Sequence, residues 1–390
     1  GASVVATNLT NQYKKIGCEA DHFHLFAEEE FHPYGENKAL VSSLKFGERI
    51  FGYREHLGFE NRICRSLKYV NDYDVVHLHD MSSVYSHRYI SWLSHQVPTF
   101  WTLHDCSPFT AGCLYPGDCN KFENSCGGCP QLGGWPLDVR IDKTHQMLVR
   151  RVEELKRSKI KFTAPSRWMI NEFKRSKCGN VPISFVPNGI DTDIFYYKEK
   201  SRLREKYGLS SHKGPFVLFS AAWLGDTRKG ADLAANLLKS ITDLKPKVLL
   251  VGRYSEQAAE LFKDFDVVHF GFVKNEAEKS DYFALADVAL MLSDQENAPL
   301  TVLEAQACGT AVFGLDAGGV PELLVDASYK YLRPKCEIDQ LSSELRKFLT
   351  IEDAERAKRI SKMSIERFDY RRVAKLYLEM FERAPKERSI

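Results

Sequence analysis

The chain has 390 residues, 44% of them hydrophobic and 27% charged, and carries a net charge of +2, the profile of an ordinary globular protein. That length exceeds one typical core and predicts two domains, while the near-neutral charge leaves no electrostatic footprint for a nucleic acid partner. No apolar run approaches the roughly 20 residues that span a bilayer and no signal peptide opens the chain, so its ten cysteines fit a reducing cytoplasm better than an oxidising exterior.

In chain order, GASVVATNLTNQYKKIGCEADHFHLF opens on a Gly-Ala-Ser loop that runs into a helical pattern (Val4, Val5, Leu9, Tyr13) and then a strand. An α/β protein ordinarily starts on a strand, so this order predicts a missing element upstream of Gly1. Apolar strand candidates then alternate with longer amphipathic stretches. They are DVVHLHD (74–80), VPTFWTLHD (97–105), IKFTAPS (160–166), GPFVLFSAAW (214–223), KVLLVGR (247–253), DVVHFGFV (266–273), DVALMLS (287–293) and TAVFGLD (310–316). Continuous apolar runs between helices predict parallel strands covered on both faces, hence an α/β chain of two doubly wound domains. The Pro-Asn-Gly turn in VPNGIDTDIF (186–195) marks the boundary, giving domains over 1–189 and 190–366. A last amphipathic helix is expected within 367–390, over FDYRRVAKLYLEMFERA (368–384), with Val373, Leu376, Leu378 and Phe381 available for burial. Two such domains would hold a ligand between their strand C-termini.

Ten of the twelve histidines lie in the first 190 residues, an asymmetry that assigns different work to the two halves. His77 and His79 share one face of an alternating strand and read as core or cleft-wall residues. Cys113, Cys119, Cys126 and Cys129 are separated by five, six and two residues. Only the last pair has common zinc spacing, but a compact loop of this size needs a staple, so a closed structural Zn²⁺ site is expected, with disulfides and free thiols as the alternatives. The basic stretch 144–162 reads as a helix with an apolar stripe of Met147, Leu148, Val152 and Leu155. It is either a partly buried surface helix or a peripheral contact with an anionic membrane. Asp226-Thr227-Arg228-Lys229-Gly230 follows a strand and opens a helix, so two adjacent cations there could neutralise a diphosphate.

In QENAPLTVLEA (295–305), Glu296 and Glu304 lie eight positions apart. On one continuous helix they would be roughly 12 Å apart along the axis and about 80° apart around it, too far for the ~5–9.5 Å of a glycosidase acid/base pair. Pro299 predicts a helix starting at that residue, leaving Glu296 in the loop and the amides of Leu300 and Thr301 as an anion site. This suits an extended ligand; the alternative is that Glu296 merely favours the helix dipole and Glu304 is a solvated face residue.

The stretch DQENAPLTVLEAQACGTAVFGLDAGGVPELL (294–324) resembles the donor-binding segment of family 4 retaining glycosyltransferases. The Glu-x7-Glu pair Glu296/Glu304, the Ala-x-Ala-x-Gly over 305–309 and the Gly-Gly-x-x-Glu over 318–322 carry the resemblance. It extends over nearly the whole chain, through KKIGCEADHFHLF, DVVHLHD, WTLHD, APSRWM (164–169), PNGID and DTRKG. The resemblance implies the GT-B architecture, two facing Rossmann-like domains with the last helix crossing back to the first. It also implies a cytoplasmic enzyme that moves a sugar from a nucleotide-diphosphate sugar to a glycan or lipid-linked acceptor with retention and without a metal. Glu304 would hold the ribose, and Arg228 and Lys229 the diphosphate. Glu296, with the loop of Asn297, Ala298, Pro299, Leu300 and Thr301, would orient the sugar. Many family members place the Arg five residues before the Lys, where this chain has Leu224. His104 falls where the family has a cleft histidine near the transferred sugar. Gly1 and Ala2 resemble the second half of a glycine-rich phosphate loop, and Val273 ends the segment whose backbone reads the base. A subgroup in surface-polysaccharide assembly, of the colanic-acid type, has a similar Cys-rich insertion, here over 106–130. A nucleotide-sugar epimerase and a silent sugar-nucleotide binder are the rival readings.

Overall fold

A computed structural model of the chain describes residues 1–22, 46–47, 50–53, 70, 72–79, 86–325, 331–351, 353 and 355–384. The strand expected after the first helix falls from Phe23 onward outside the described residues, as does Asp80. The chain divides into two compact units, Gly1–Pro187 with Val373–Ile390, and Asn188–Arg372.

Among the described residues of the first unit, four parallel strands lie side by side in chain order: β1 (Val76–Leu78), β2 (Thr99–Thr102), β3 (Lys161–Ala164) and β4 (Ile183–Phe185). The helices are α1 (Ala2–Lys15), α2 (His87–Ser94), α3 (Thr144–Arg157) and α4 (Arg167–Arg175). Spacing makes α1 amphipathic, since Val5, Leu9 and Tyr13 recur every four residues and are buried. Ser86 and Ser166 cap α2 and α4 by accepting the Tyr89 and Met169 amides at 3.2 and 3.0 Å. β4 has no clear signal in the sequence, because one half-buried and two exposed residues at a sheet edge show no apolar run.

Two expectations for this unit change. The helix anticipated over 144–162 stops at Arg157, because Ser158 is extended (φ −72°, ψ 158°) and residues from Lys161 join β3. Its stripe of Met147, Leu148, Val152 and Leu155 is buried in the unit's own core, which leaves no apolar face to insert into a membrane. Among the described residues no helix is long and apolar enough to cross one. The last helix, α13 (Tyr370–Glu382), buries Val373, Ala374 and Tyr377, while Leu376 and Leu378 stay half-buried. Positions 373, 377 and 381 share a face at helical spacing, and 376 and 378 flank it.

The second unit holds six parallel strands in the order β10-β9-β8-β5-β6-β7. They are β5 (Phe216–Trp223), β6 (Lys247–Arg253), β7 (Asp266–His269), β8 (Val288–Met291), β9 (Ala311–Leu315) and β10 (Tyr331–Arg333). The helices are α5 (Lys200–Lys206), α6 (Ala231–Lys239), α7 (Glu256–Phe262), α8 (Glu276–Leu285), α9 (Leu300–Ala307), α10 (Val320–Leu323), α11 (Ile338–Thr350) and α12 (Arg356–Phe368). Alternation along each strand feeds two cores. Phe216, Leu218 and Leu249 enter one, and Val217, Phe219 and Val248 the other. This strand order is that of a dinucleotide-binding doubly wound sheet, with its switch point between β5 and β8.

At Gly314, paired with Met291 across β9 and β8, a Cβ would stand 1.9 Å from the Met291 carbonyl oxygen. Gly314→Ala should therefore destabilise the second unit by about 1–3 kcal/mol, read as a lower melting temperature and an earlier denaturant midpoint.

Candidate active site

Three loops at the carboxyl end of the second sheet converge on Glu296. After β5 the chain turns through residues 227–229, where Asp226 accepts the Arg228 amide at 3.0 Å and pairs with the Arg228 guanidinium at 2.8 Å. Gly230 then adopts a left-handed φ of 71°, and a Cβ there would stand 2.2 Å from the Leu292 carbonyl oxygen of the loop after β8. The Arg228 carbonyl accepts the Asp294 amide at 3.0 Å, which stitches these two loops together. From the loop after β9, the Gly319 amide donates to the Glu296 carbonyl at 2.9 Å. At Gly318, with a φ of 60°, a Cβ would stand 2.0 Å from that same oxygen, so a larger residue has no room.

At the centre of this junction the Lys229 ammonium donates to Glu296 Oε1. The Glu296 side chain is 10% exposed and that of Lys229 28%. Asn297 is buried beside it, and Asn188 Nδ2 holds the Ala298 carbonyl at 2.9 Å. Pro299 is the residue before α9 rather than its first, because its ψ of 127° is extended although its φ of −67° would suit a helix. The helix therefore starts at Leu300. Its first-turn amides, those of Leu300 and Thr301 included, have no acceptor within the helix.

Glu304, one turn into α9, is 2% exposed, which rules out a solvated carboxylate. Its Oε1 meets Lys279 Nζ at 2.7 Å. Its Oε2, like Thr301 Oγ1 three residues earlier on the same face, is buried with no hydrogen-bond partner. Burial pushes the Glu304 carboxyl up from its ordinary value against the pull of Lys279. Burial would lower the Lys279 ammonium, but Glu304 and Glu276 together hold it above its usual value. Val273 packs its side chain against the core, leaving its backbone for any recognition.

Separately, the first unit gathers histidines at the carboxyl edge of its sheet. Leu78 turns into the core while His77 and His79 share the opposite face. His77 Nε2 is 2.8 Å from Thr102 Oγ1, which also meets Thr163 Oγ1 at 2.7 Å and the Tyr377 hydroxyl at 2.9 Å. His79 Nδ1 lies 2.9 Å from His104 Nε2, with the ring centroids 5.2 Å apart and the planes inclined by 24°. Burial lowers His77 to about 3, with a smaller push from His104. Burial also takes His79 well below its ordinary value, aided by His77, His104 and His22. Gly1 is the residue before α1 and Ala2 its first.

For the zinc site expected at the four cysteines the structure gives no geometric support. Among the described residues no group of three or more His, Cys, Asp or Glu side chains comes together as a metal-ligand set. Cys113, Cys119, Cys126 and Cys129 are free, half-buried thiols, which also sets aside the disulfide alternative. Three of them, Cys113, Cys126 and Cys129, pack against the hydrophobic core. The turn over 126–129 is held instead by Lys121, whose ammonium donates to the Gly127 and Gly128 carbonyls at 2.9 and 2.7 Å, and by Asp142, which accepts the Cys129 amide at 2.9 Å. Burial pushes the Cys113 thiol up to about 11 and that of Cys126 up to about 12. Both are thus protonated and slow to react at neutral pH. Iodoacetamide at pH 8 should label exposed Cys336 well before either, as read by peptide mass mapping over time.

Sequence reasoning missed Lys279, Asn188 and the His79–His104 contact. Nothing local marks Lys279, which reaches Glu304 from α8 across 25 positions of chain. Lys279→Met should cost about 3–5 kcal/mol of stability by stranding a buried carboxylate. Adding Glu304→Gln should return part of that loss in a double-mutant cycle of chemical denaturation.

Residues 1–194 match the family described as Glycosyltransferase Family 4, and residues 201–367 match that described as Glycosyl transferases group 1. Over 179 residues the chain is 28% identical to the N-acetyl-alpha-D-glucosaminyl L-malate synthase of Bacillus anthracis, covering 45% of this chain and 46% of that one. Over 291 residues it is 24% identical to the putative colanic acid biosynthesis glycosyl transferase WcaC of Escherichia coli (strain K12), covering 71% and 68%. The chain thus spans about half of the first relative's length and two thirds of the second's. Among crystal structures, Anabaena HepE in complex with UDP and glucose superposes with a TM-score of 0.65 at 17% identity, over 98% of this chain and 96% of that one. Sucrose-phosphate synthase from Thermosynechococcus elongatus gives 0.64 at 17% identity, over 98% and 94%. At such identities the likeness speaks to the fold, which is that of the GT-B glycosyltransferases.

Proposed function

We propose that this chain, which belongs to the family 4 glycosyltransferases of GT-B type, moves a sugar from a nucleotide-diphosphate sugar to a glycan or lipid-linked acceptor in cell-surface polysaccharide synthesis. The transfer would retain anomeric configuration and need no metal ion. The observation that carries this reading is the largely buried Lys229–Glu296 pair at the β5/β8 switch point, beside the amino end of α9. Ligands of doubly wound sheets bind at that point, and a helix amino end favours phosphate. Two relatives support the chemistry. WcaC is named for colanic acid biosynthesis, and the HepE complex holds UDP and glucose.

In this reading the donor diphosphate lies against the first amides of α9 and draws Lys229 away from Glu296, with Arg228 as the second cation. Glu296, released from its ammonium, then accepts from hydroxyls of the transferred sugar, which the buried Asn297 and the loop of Ala298 and Pro299 flank. Glu304 accepts from the ribose through Oε2, the oxygen that Lys279 leaves unpaired. The nucleotide base meets the backbone at Val273, and by the family resemblance Gly1 and Ala2 belong to a phosphate-binding loop. His104 positions the sugar. The glycosidic bond to the diphosphate breaks as the acceptor oxygen attacks from the same face. The departing phosphate oxygen takes the acceptor's proton, so no side chain needs to act as nucleophile. Charge developing on the leaving diphosphate is met by Arg228, Lys229 and the α9 amides, groups fixed before the reaction begins.

A thermal-shift screen of nucleotide sugars identifies the donor, because a ligand that binds only the folded chain raises its apparent stability. With that donor, nucleotide diphosphate release should depend on acceptor and persist in EDTA. Lys229→Ala and Glu296→Ala should each lower kcat by about 10²–10³-fold. Acceptor-independent interconversion of the donor sugar would point instead to an epimerase, and full turnover in both variants would overturn the site assignment.

A further inference from the structure

We infer that Lys279 is a positioning residue: it fixes Oε1 of Glu304, so that Oε2 faces the donor ribose and the site tells a ribonucleotide from its deoxy form. The inference rests on the glycosyltransferase reading for the ligand, and on the second unit alone for the contact.

Lys279 stands in the first turn of α8, a turn that Asn275 caps by accepting the Ala277 amide at 2.9 Å. Its ammonium faces two carboxylates at once. Glu304 Oε1 lies 2.7 Å away, and the oxygens of Glu276, three residues earlier on α8, lie at 3.1 and 3.2 Å. The same ammonium stands 5.4 Å from the centroid of the Phe195 ring, which is itself buried. Two charge-assisted contacts and an aromatic face hold the lysine head in one place.

A carboxylate is planar, so fixing one oxygen of a side chain anchored in a helix also sets the direction of the other. With Oε1 committed to Lys279, Glu304 keeps Oε2 buried and unpaired. The Thr301 hydroxyl, three residues earlier on the same face of α9, is unpaired as well. Buried polar groups are nearly always bonded, so two orphans within one helical turn call for a partner that the chain does not supply. Burial favours the neutral acid at Glu304, and Lys279 opposes it. An ionised carboxylate only accepts, whereas a neutral acid both donates and accepts. Lys279 thus gives Oε2 a direction and a single role. A ligand without the matching hydroxyl leaves a buried acceptor unsatisfied.

Isothermal titration with UDP, GDP and ADP, each beside its 2′-deoxy and 3′-deoxy forms, reads this selectivity directly. In the wild-type chain, loss of the hydroxyl that meets Oε2 should weaken binding about 10–100-fold. Lys279→Met should lose a similar factor for the ribonucleotide but little for the deoxy form, so that their ratio falls to within about 3-fold of unity. Lys279→Arg, which keeps the charge and the donors, should retain most of the ratio. A folded Lys279→Met chain that discriminates as the wild type does would overturn the inference, because general damage weakens both forms alike. Should that variant prove too unstable to titrate, Lys279→Gln should still narrow the ratio, and an unchanged ratio there overturns the inference equally. The contact itself is read without nucleotide, from the ¹³C shift of the Glu304 carboxyl, assigned by its loss in Glu304→Gln. That shift should move in Lys279→Met or Lys279→Gln, and an unmoved shift would defeat the positioning role. A wild-type chain that binds none of the diphosphates, or binds ribo and deoxy forms alike, defeats the ribose reading of Glu304, while the carboxyl shift still decides the contact.

Discussion

The second unit is organised around one constraint: six strands run parallel, so every loop that follows a strand emerges at the same edge of the sheet. Because β5 neighbours β8, the loops after these two strands leave on either side of a reversal in strand order. Backbone must come very close to backbone for them to meet. Gly230, on the loop after β5, and Gly318, on the loop after β9, make this approach to the loop after β8, each with a positive φ and each with a carbonyl oxygen where a Cβ would be. The Lys229–Glu296 pair sits at the junction so formed. A largely buried ion pair adds little net stability, because desolvation offsets its attraction, yet losing one partner is costly. Such a pair is better suited to holding two charges ready for a polar ligand than to holding a fold.

The two glutamates of the 295–305 segment differ because a helix begins between them. Glu296 lies on the loop side, bonded to a lysine that a competing anion can take. Glu304 lies inside the helix, with one oxygen committed to Lys279 from α8 and the other without a partner. An unpaired buried acceptor costs about 1–3 kcal/mol, a cost that a ligand hydroxyl would remove. In the proposed reading the same residue type serves at two points along an extended ligand, distinguished by which lysine each one faces.

The first unit solves a different problem with a similar device. Its sheet also ends at one edge, but the polar groups there are histidines and hydroxyls rather than opposed charges. Thr102 hydrogen-bonds with Thr163, Tyr377 and His77 Nε2, so α13 is tied to the sheet through hydrogen bonds as well as through Val373 and Ala374. Arg151, fully buried on α3, donates to the Ser107 and Thr110 carbonyls and anchors the start of the Cys-rich stretch. Side chains of the chain itself thereby organise a loop whose composition had suggested a metal.

Strand identity, parallel pairing and the family were legible in the sequence, because the long apolar runs that burial on two faces imposes and the Glu-x7-Glu segment are both local patterns. The short edge strands β4 and β10 were not, since an edge strand of three residues needs no apolar run. The buried face of α13 was read one position off, because neighbouring apolar residues blur a 100° step. What only the tertiary structure decided are the partners: Lys279 for Glu304, Lys229 for Glu296, His79 for His104, and core packing for Cys113, Cys126 and Cys129. Each joins elements far apart in the chain. A side chain's chemistry is written at its own position, but the charge or hydrogen bond that tunes it comes from whatever the fold brings within 3 Å.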